Sequence, residues 1–457
     1  MNGVAGPGGP RSSRLHLPSA ETMRASMWVL PTACMVGVLA LTFLLLQYRP
    51  DTSTLLQRWL WPGGPSSASS AMQTLATAVV TAASLTFSAV IVALQLASQQ
   101  FSPRLLRDFT RDRLTQIALG TLLSTFASSL TVLRSLHPDR PLPVAALCWA
   151  YLLGLVSVGL LMAFLAHIMR QLRVDTMMRT VHRQAVRTLD GAYPDYDAGA
   201  HRHPPPDRVT STEAAVVRAP GSGFCERIDV DALVRAAAAA DAYVRVLVRP
   251  GDQVLLGTPV LYAWRGTGAG IDEHHVTAML SAVELGYERT FEQDTAFGFR
   301  RLADIAVKAI SPSVNDPATA AQAIGHLGDL LIRLMAKQLG PTAHRDTRDT
   351  VRVTVPDRDI RYYLDMTCAQ IRRYGRHDPV VLTAVLRVLR DAAVSARDDA
   401  QRTEIRRQTE LILTEIPNEL PREDRDGIRT AADRVGEALN GRLAAAFDDR
   451  SGELRSS

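Results

Sequence analysis

The densest run of chemistry-bearing side chains lies between Gly286 and Ala320, in the string GYERTFEQDTAFGFRRLADIAVKAISPSVNDPATA. Glu288, Arg289, Asp294, Arg300, Asp304 and Asn315 could gather there into one polar site. Carboxylates and guanidiniums converging in a fold serve acid–base work or ligand recognition. The spacing also admits a plainer reading, of caps and ion pairs within helices. Arg300, Asp304 and Lys308 recur at i, i+4 and i+8, which on a helix is a charged stripe of alternating sign. Residues 295–310 are otherwise apolar on nearly all sides, so this helix is expected to be buried, with Asp304 paired by Arg300, Lys308 or Arg301. It ends at Ser311-Pro312, and Asp316-Pro317 opens the next helix with a cap and a first-turn proline.

Other chemistry is thin. There is no C-x-x-C, Walker A, H-E-x-x-H or G-x-S-x-G string, and the four cysteines are scattered at Cys34, Cys148, Cys225 and Cys368. His201 and His203 lie in a Pro-rich linker, and His274-His275 would point about 100° apart on a helix. Neither pair makes a metal site. No cofactor is implied. The string Pro250-Gly251-Asp252-x-Val254-x-x-Gly257-x-Pro259 is similar to hairpins of biotinyl and lipoyl carrier domains, but no lysine precedes Lys308 to carry the group. At most it implies a small barrel-like sandwich.

What must position these residues follows from hydropathy and charge. Ala25–Tyr48, Trp59–Pro103, Leu114–Leu133 and Pro141–Met169 contain no Asp, Glu, Lys or Arg. A hydrocarbon core needs roughly 20 helical residues, so each can span it. The second span is placed at 71–96, after a Pro/Gly/Ser loop. The flanks of the N-terminal tail, the second loop and the fourth span hold twelve arginines, against four in the other two loops. That asymmetry puts both termini in the cytoplasm. The first 170 residues carry twelve arginines against five acids, so the formal charge of +5 belongs to membrane flanks and not to a nucleic-acid surface.

Within the second span Thr74, Thr77, Thr81, Ser84 and Ser88 share one face, as do Gly120, Ser124 and Ser128 in the third. Such faces either pack a tight bundle or line a conduction path. Small-xxx-small spacing is a common packing device, so packing is the expectation. No carboxylate or arginine lies within a span, and the one histidine, His167, sits at the end of the fourth, which weighs against ion-coupled transport. Ser102, Arg104, Arg107 and Arg111 belong either to a short helix at the membrane interface, its arginines near anionic headgroups, or to a charged turn that merely fixes topology.

The fold class expected is an α-helical membrane domain of four transmembrane helices plus a cytoplasmic α+β domain, a small β-rich sandwich followed by helices. Its divisions are a tail at 1–26, the spans with a helical extension at 27–190, a linker at 191–212, a β-rich subdomain at 213–265, a mainly helical domain at 266–447 and a frayed end at 448–457.

The strings LQLASQQFSPRLLRDFTRDR (94–113) and GYERTFEQDTAFGFRRLADIAVKAISPSVNDPATA resemble the bacterial membrane family called domain of unknown function 2254. The similarity runs from the first span to roughly residue 420. It implies an inner-membrane protein with a cytoplasmic C-terminal half, and no activity comes with it. The expected partners are the lipid bilayer and further copies of the chain, with no nucleic acid and no assignable ion or small-molecule ligand. The expected function is channel-like or scaffolding, with a regulatory or assembly module. The competing reading is a membrane-tethered enzyme or ligand sensor using the Glu288–Asn315 region.

Overall fold

The computed structural model describes residues 29–47, 61, 63–100, 113–137, 141–171, 173–197, 214–266 and 270–448, without side chains at 93, 94, 96–100 and 171. They divide into two compact units that meet in sequence at Arg173/Val174. The expected interface residues Ser102, Arg104, Arg107 and Arg111, the N-terminal tail, most of the linker and residues 449–457 fall outside the described residues.

The first unit holds four helices, α1 (Val29–Gln47), α2 (Pro65–Gln100), α3 (Arg113–Ser135) and α4 (Val144–Gln171). All four are long and apolar enough to cross a membrane. α2 begins at Pro65, earlier than the expected 71. Proline suits a first turn because its missing N–H has no intrahelical partner there, and the Ala68 amide and Ser67 hydroxyl both donate to Gly64 O. α3 packs against the other three and is the most buried of the four. A Cβ on Gly120 would lie 2.9 Å from Pro31 Cα, so α1 and α3 approach at backbone distance. The buried hydroxyls are paired between helices: Thr42 with Ser128 at 2.9 Å, and Thr125 with Ser157 at 2.8 Å.

The second unit opens with α5 (Val174–Ala192). The sequence reads this segment as an extension of the fourth span, within 27–190. In the structure it is a separate helix and its partners are elsewhere, because its apolar stripe is narrow. Met178, Val181, Ala185 and Leu189 are buried against α8 (Thr295–Ala309) and α9 (Pro317–Met335). Nor does the linker start at 191: Tyr196 N donates to Ala336 O and Asp195 bridges Lys337, which ties 193–197 to the end of α9.

The remaining elements are β1 (Ala215–Arg218), β2 (Gly223–Ile228), α6 (Val230–Ala239), β3 (Ala242–Val246), β4 (Gln253–Val254), β5 (Pro259–Arg265), α7 (Glu273–Ser281) and β6 (Val283–Gly286), then, after α8 and α9, β7 (Thr342–Arg345) and β8 (Val351–Val355). Helices α10 (Ile360–Tyr374), α11 (Pro379–Ser395), α12 (Asp399–Thr414), α13 (Arg422–Leu439) and α14 (Leu443–Ala446) complete the chain.

The sheets do not stop at residue 265. One has the order β1-β5-β3-β8-β7, with β8 parallel to β3, and the other β4-β2-β6. Val353 is fully buried and completes the apolar face of Val244, Leu261 and Ala263, so tertiary burial recruits a strand about 100 residues away. The stretch 213–265 also contains a helix that its β pattern hides. Asp229 caps α6 by accepting from Ala232 N at 2.8 Å, and the alanine run that follows is the best intrinsic helix former. At the centre of the helical layer lies α8, packed against α5, α9 and α10.

Candidate functional site

The loop from Gly286 to Asp294 joins β6 to α8, and it carries two of the six expected polar residues into the interior. Asp294, the residue before α8, is 2% exposed and Arg289 is 16% exposed. Arg289 Nε donates to Asp294 Oδ2 at 2.8 Å, with Nη2 at 2.6 Å from the same oxygen. Asp294 Oδ1 makes no hydrogen bond, and faces the Nη1 of Arg358, 5% exposed, at 3.8 Å. Arg358 Nη2 donates to Asp252 Oδ1 at 2.9 Å and to Pro250 O at 2.8 Å. One buried carboxylate thus sits between two guanidiniums from different parts of the chain.

The β3–β4 turn is built for this contact. Gly251 has φ +87°, and a Cβ there would lie 2.0 Å from Asp294 Oδ2. Any side chain would both strain the backbone and displace the carboxylate. Aromatic rings form the next wall. Phe291 and Phe297 rings lie 4.8 Å apart, the Arg289 guanidinium stands 5.4 Å from Phe297, and that of Arg301 5.4 Å from Phe291. Beside the knot, Tyr193 donates to Asp357 Oδ1, and its oxygen lies 3.0 Å from that of Tyr363. Asp357 Oδ2 accepts from Gly340 N, which fastens the segment before α10 to the loop that leads into β7.

Burial pushes the Asp294 carboxyl up, with Arg289 and Arg358 pulling it back. Burial also raises Asp357 and the Tyr193 and Tyr363 hydroxyls, and pushes the Cys225 thiol up to about 12. A thiol held there is protonated near neutrality and a poor nucleophile. The arrangement therefore acts as an electrostatic latch among the β3–β4 turn, the β6–α8 loop and the start of α10.

The other expected residues lie apart from it. Glu288 is half-buried in the loop. Arg300 and Asp304 form an i, i+4 pair at 3.3 Å with side chains 37% and 23% exposed, so water reaches the stripe. Asp304→Ala should accordingly cost only a few tenths of a kcal/mol, read from the unfolding midpoint of the full chain; a loss above about 2 kcal/mol would mean a dry pair. Asn315 is exposed, with φ +50° in the turn between α8 and α9. Asn tolerates that left-handed conformation better than most residues. Arg358, Asp252, Asp357 and Tyr193 are missing from the expected set, since nothing in their sequence neighbourhoods marks them as partners of residue 294. Only the Gly251-Asp252 turn left a signal. Among the described residues no three His, Cys, Asp or Glu side chains gather to hold a metal ion.

The hydroxyl face of α2 departs from expectation. Thr74, Thr77, Thr81, Ser84 and Ser88 are all exposed. What packs α2 into the bundle is Ala68, Met72, Ala76, Val79 and Thr86. At 100° per residue the two sets lie about 180° apart. The larger apolar side chains fill the grooves between helices, which leaves the hydroxyls outside. Thr74 and Thr81 return their hydroxyls to the carbonyls of Ser70 and Thr77, both at 2.9 Å. In α3, by contrast, Gly120, Ser124 and Ser128 are buried inside the bundle.

A family model described as "Predicted membrane protein (DUF2254)" matches residues 24–391. The chain belongs to this family. Uncharacterized proteins of Mycobacterium bovis (strain ATCC BAA-935 / AF2122/97) and Mycobacterium tuberculosis (strain ATCC 25618 / H37Rv) are each 32% identical to it over 426 residues, spanning 92% of this chain and 82% of the relative. No solved structure matches it. The family match covers the four apolar helices and the whole Asp294 latch, whose most distant member, Arg358, lies within 24–391.

Proposed function

We propose that the chain is a multi-pass bacterial inner-membrane protein that acts as a homo-oligomer, channel-like in kind, with both termini and the second unit in the cytoplasm. The observation that carries this reading is the outward hydroxyl face of α2. It extends through the exposed Ser66 and Ser70, so that from Ser66 to Ser88 it covers about 33 Å at 1.5 Å per residue. That matches a hydrocarbon core of about 30 Å. In an isolated bundle this face meets only acyl chains, which gain nothing from hydroxyls. Against the same face of another copy, small residues permit close approach, and the hydroxyls can bond across the contact or line a wet path. Within one copy α3 fills the centre of the bundle, so a path between copies is the more economical reading. The arginine asymmetry of the flanks supports the orientation. The second unit, with its latched core, then serves as the assembly module.

Cysteine cross-linking in membranes tests this. On a background with the four native cysteines replaced by alanine, Ser84→Cys should give disulfide-linked dimers on oxidation, and Val79→Cys, on the bundle face, should not. Thr81→Val with Ser84→Val should alter ion flux into liposomes. Absence of dimers at Ser84 overturns the contact. Dimers with unaltered flux leave a scaffold instead of a channel.

A further inference from the structure

Arginines of the second unit commonly end on a carboxylate: Arg227 on Glu284, Arg333 on Asp329, Arg352 on Asp346 and Arg407 on Asp365. Arg179 and Arg183 have no carboxylate partner among the described residues. Together with Thr176 and His182 they line a cavity of about 380 Å³. Thr176, Arg179 and Arg183 are spaced i, i+3 and i+7, so they share the exposed face of α5, opposite the stripe buried against α8 and α9.

His182 stands at the edge of that face and is held there by α9. Its Nε2 lies 2.7 Å from Asp329 Oδ2, an oxygen that also accepts from Arg333 Nε at 2.7 Å. Asp329 is therefore engaged twice on its own side. Asp175, the other nearby acid on α5, has interactions of its own. His326 packs 5.1 Å from the His182 ring. Burial holds the His326 imidazole below its ordinary value, with His182 and Arg179 adding to that effect and Asp329 and Asp175 opposing it. The two guanidiniums stand one helical turn apart on the exposed face, and an anion between them would pair both. Two guanidinium forks and a hydroxyl, with the His182 ring beside them, form a donor set suited to the oxygens of a phosphate.

We propose that Thr176, Arg179, His182 and Arg183 form a phosphate-binding site, and that its ordinary occupant is the headgroup phosphate of an anionic phospholipid. The lipid source rests on the membrane reading, since α5 begins three positions after the last apolar helix ends. Basic side chains just beyond a span meet anionic headgroups, each contributing through a field that fades within a Debye length. The phosphate chemistry does not depend on that reading.

The test uses the full chain purified in a zwitterionic detergent, with the shift of its thermal midpoint as readout. The probes are short-chain phosphatidylglycerol, short-chain phosphatidylcholine and inorganic phosphate. Phosphatidylglycerol should stabilise the wild type with saturation, and phosphatidylcholine should not. Arg179→Gln with Arg183→Gln should weaken the response, measured from each protein's own lipid-free midpoint, at least about tenfold. Arg187→Gln is the control, because it removes one charge from the same helix outside the cavity lining. An equal loss in Arg187→Gln would mean diffuse attraction and overturn the site. So would an undiminished response in the double variant, or no response to either anion. Saturable binding of inorganic phosphate alone, lost in the double variant, keeps the phosphate site and overturns its lipid source.

Discussion

Replacing Asp294 by alanine should lower the stability of the second unit by about 3–5 kcal/mol, the range for removing one partner of a buried ion pair. The change strands two guanidiniums. Arg289 loses its carboxylate outright and Arg358 keeps Asp252 and the Pro250 carbonyl, in a place where Asp294 is 2% and Arg358 5% exposed. It also opens the space that Gly251 leaves for the carboxylate. Asp294→Asn should cost less, because the amide keeps the shape and burial already favours the neutral form of this side chain. The pH dependence has a defined sign. A carboxyl raised in the folded state binds its proton more tightly there than in the unfolded chain, so this group adds stability as pH falls from its folded value towards its unfolded one. Asp316 behaves oppositely. The Thr319 hydroxyl and amide hold its carboxyl down, and that contribution disappears as pH falls through its folded value. Urea unfolding of the full chain, comparing wild type with both Asp294 variants at neutral and mildly acid pH, reads both effects. Equal midpoints for wild type and Asp294→Ala would show that the guanidiniums find water without it.

The second large effect should come from Gly298→Ala. Alanine is the better helix former by about 1 kcal/mol, and on an open face the change would stabilise α8. Here an added Cβ would stand 2.2 Å from the Cβ of Ala185 and 3.2 Å from its Cα, on α5. Neither neighbour can swing aside, as one is a methyl on a buried helix and the other is backbone. Overpacking of this kind costs about 1–3 kcal/mol, so the substitution should destabilise despite its propensity gain. Ala185→Gly removes the obstructing methyl. The double variant should therefore lose less than the sum of the two single losses, which the coupling energy of a double-mutant cycle measures. Additive losses would show that α5 and α8 have slack.

Some of this architecture was legible in the residues alone. The four apolar helices required only local information, because each element spans residues of one chemical kind. Caps were equally local: Asp316 before Pro317 accepts from Thr319 N, and Asp378 before Pro379 accepts from Val380 N, as Asp-Pro dipeptides lead one to expect. The burial of α8 followed from its composition, with charges confined to Arg300, Arg301, Asp304 and Lys308.

What needed the tertiary structure is every feature in which distant segments meet. The partner of Asp294 could be guessed on its own loop, as Arg289, but Arg358 lies 64 positions away and arrives only because β8 adds in parallel to β3 and carries α10 towards the β3–β4 turn. A parallel pairing needs a long crossover, so no local pattern announces it. Faces behave the same way. Periodicity puts Thr74, Thr77, Thr81, Ser84 and Ser88 on one side of α2, and small-residue spacing is shared by buried and exposed helix faces. Only the packing of Met72, Ala76 and Val79 against the bundle decides that the hydroxyls look outward. A helix's period is written in its residues, and its rotation is set by what it packs against.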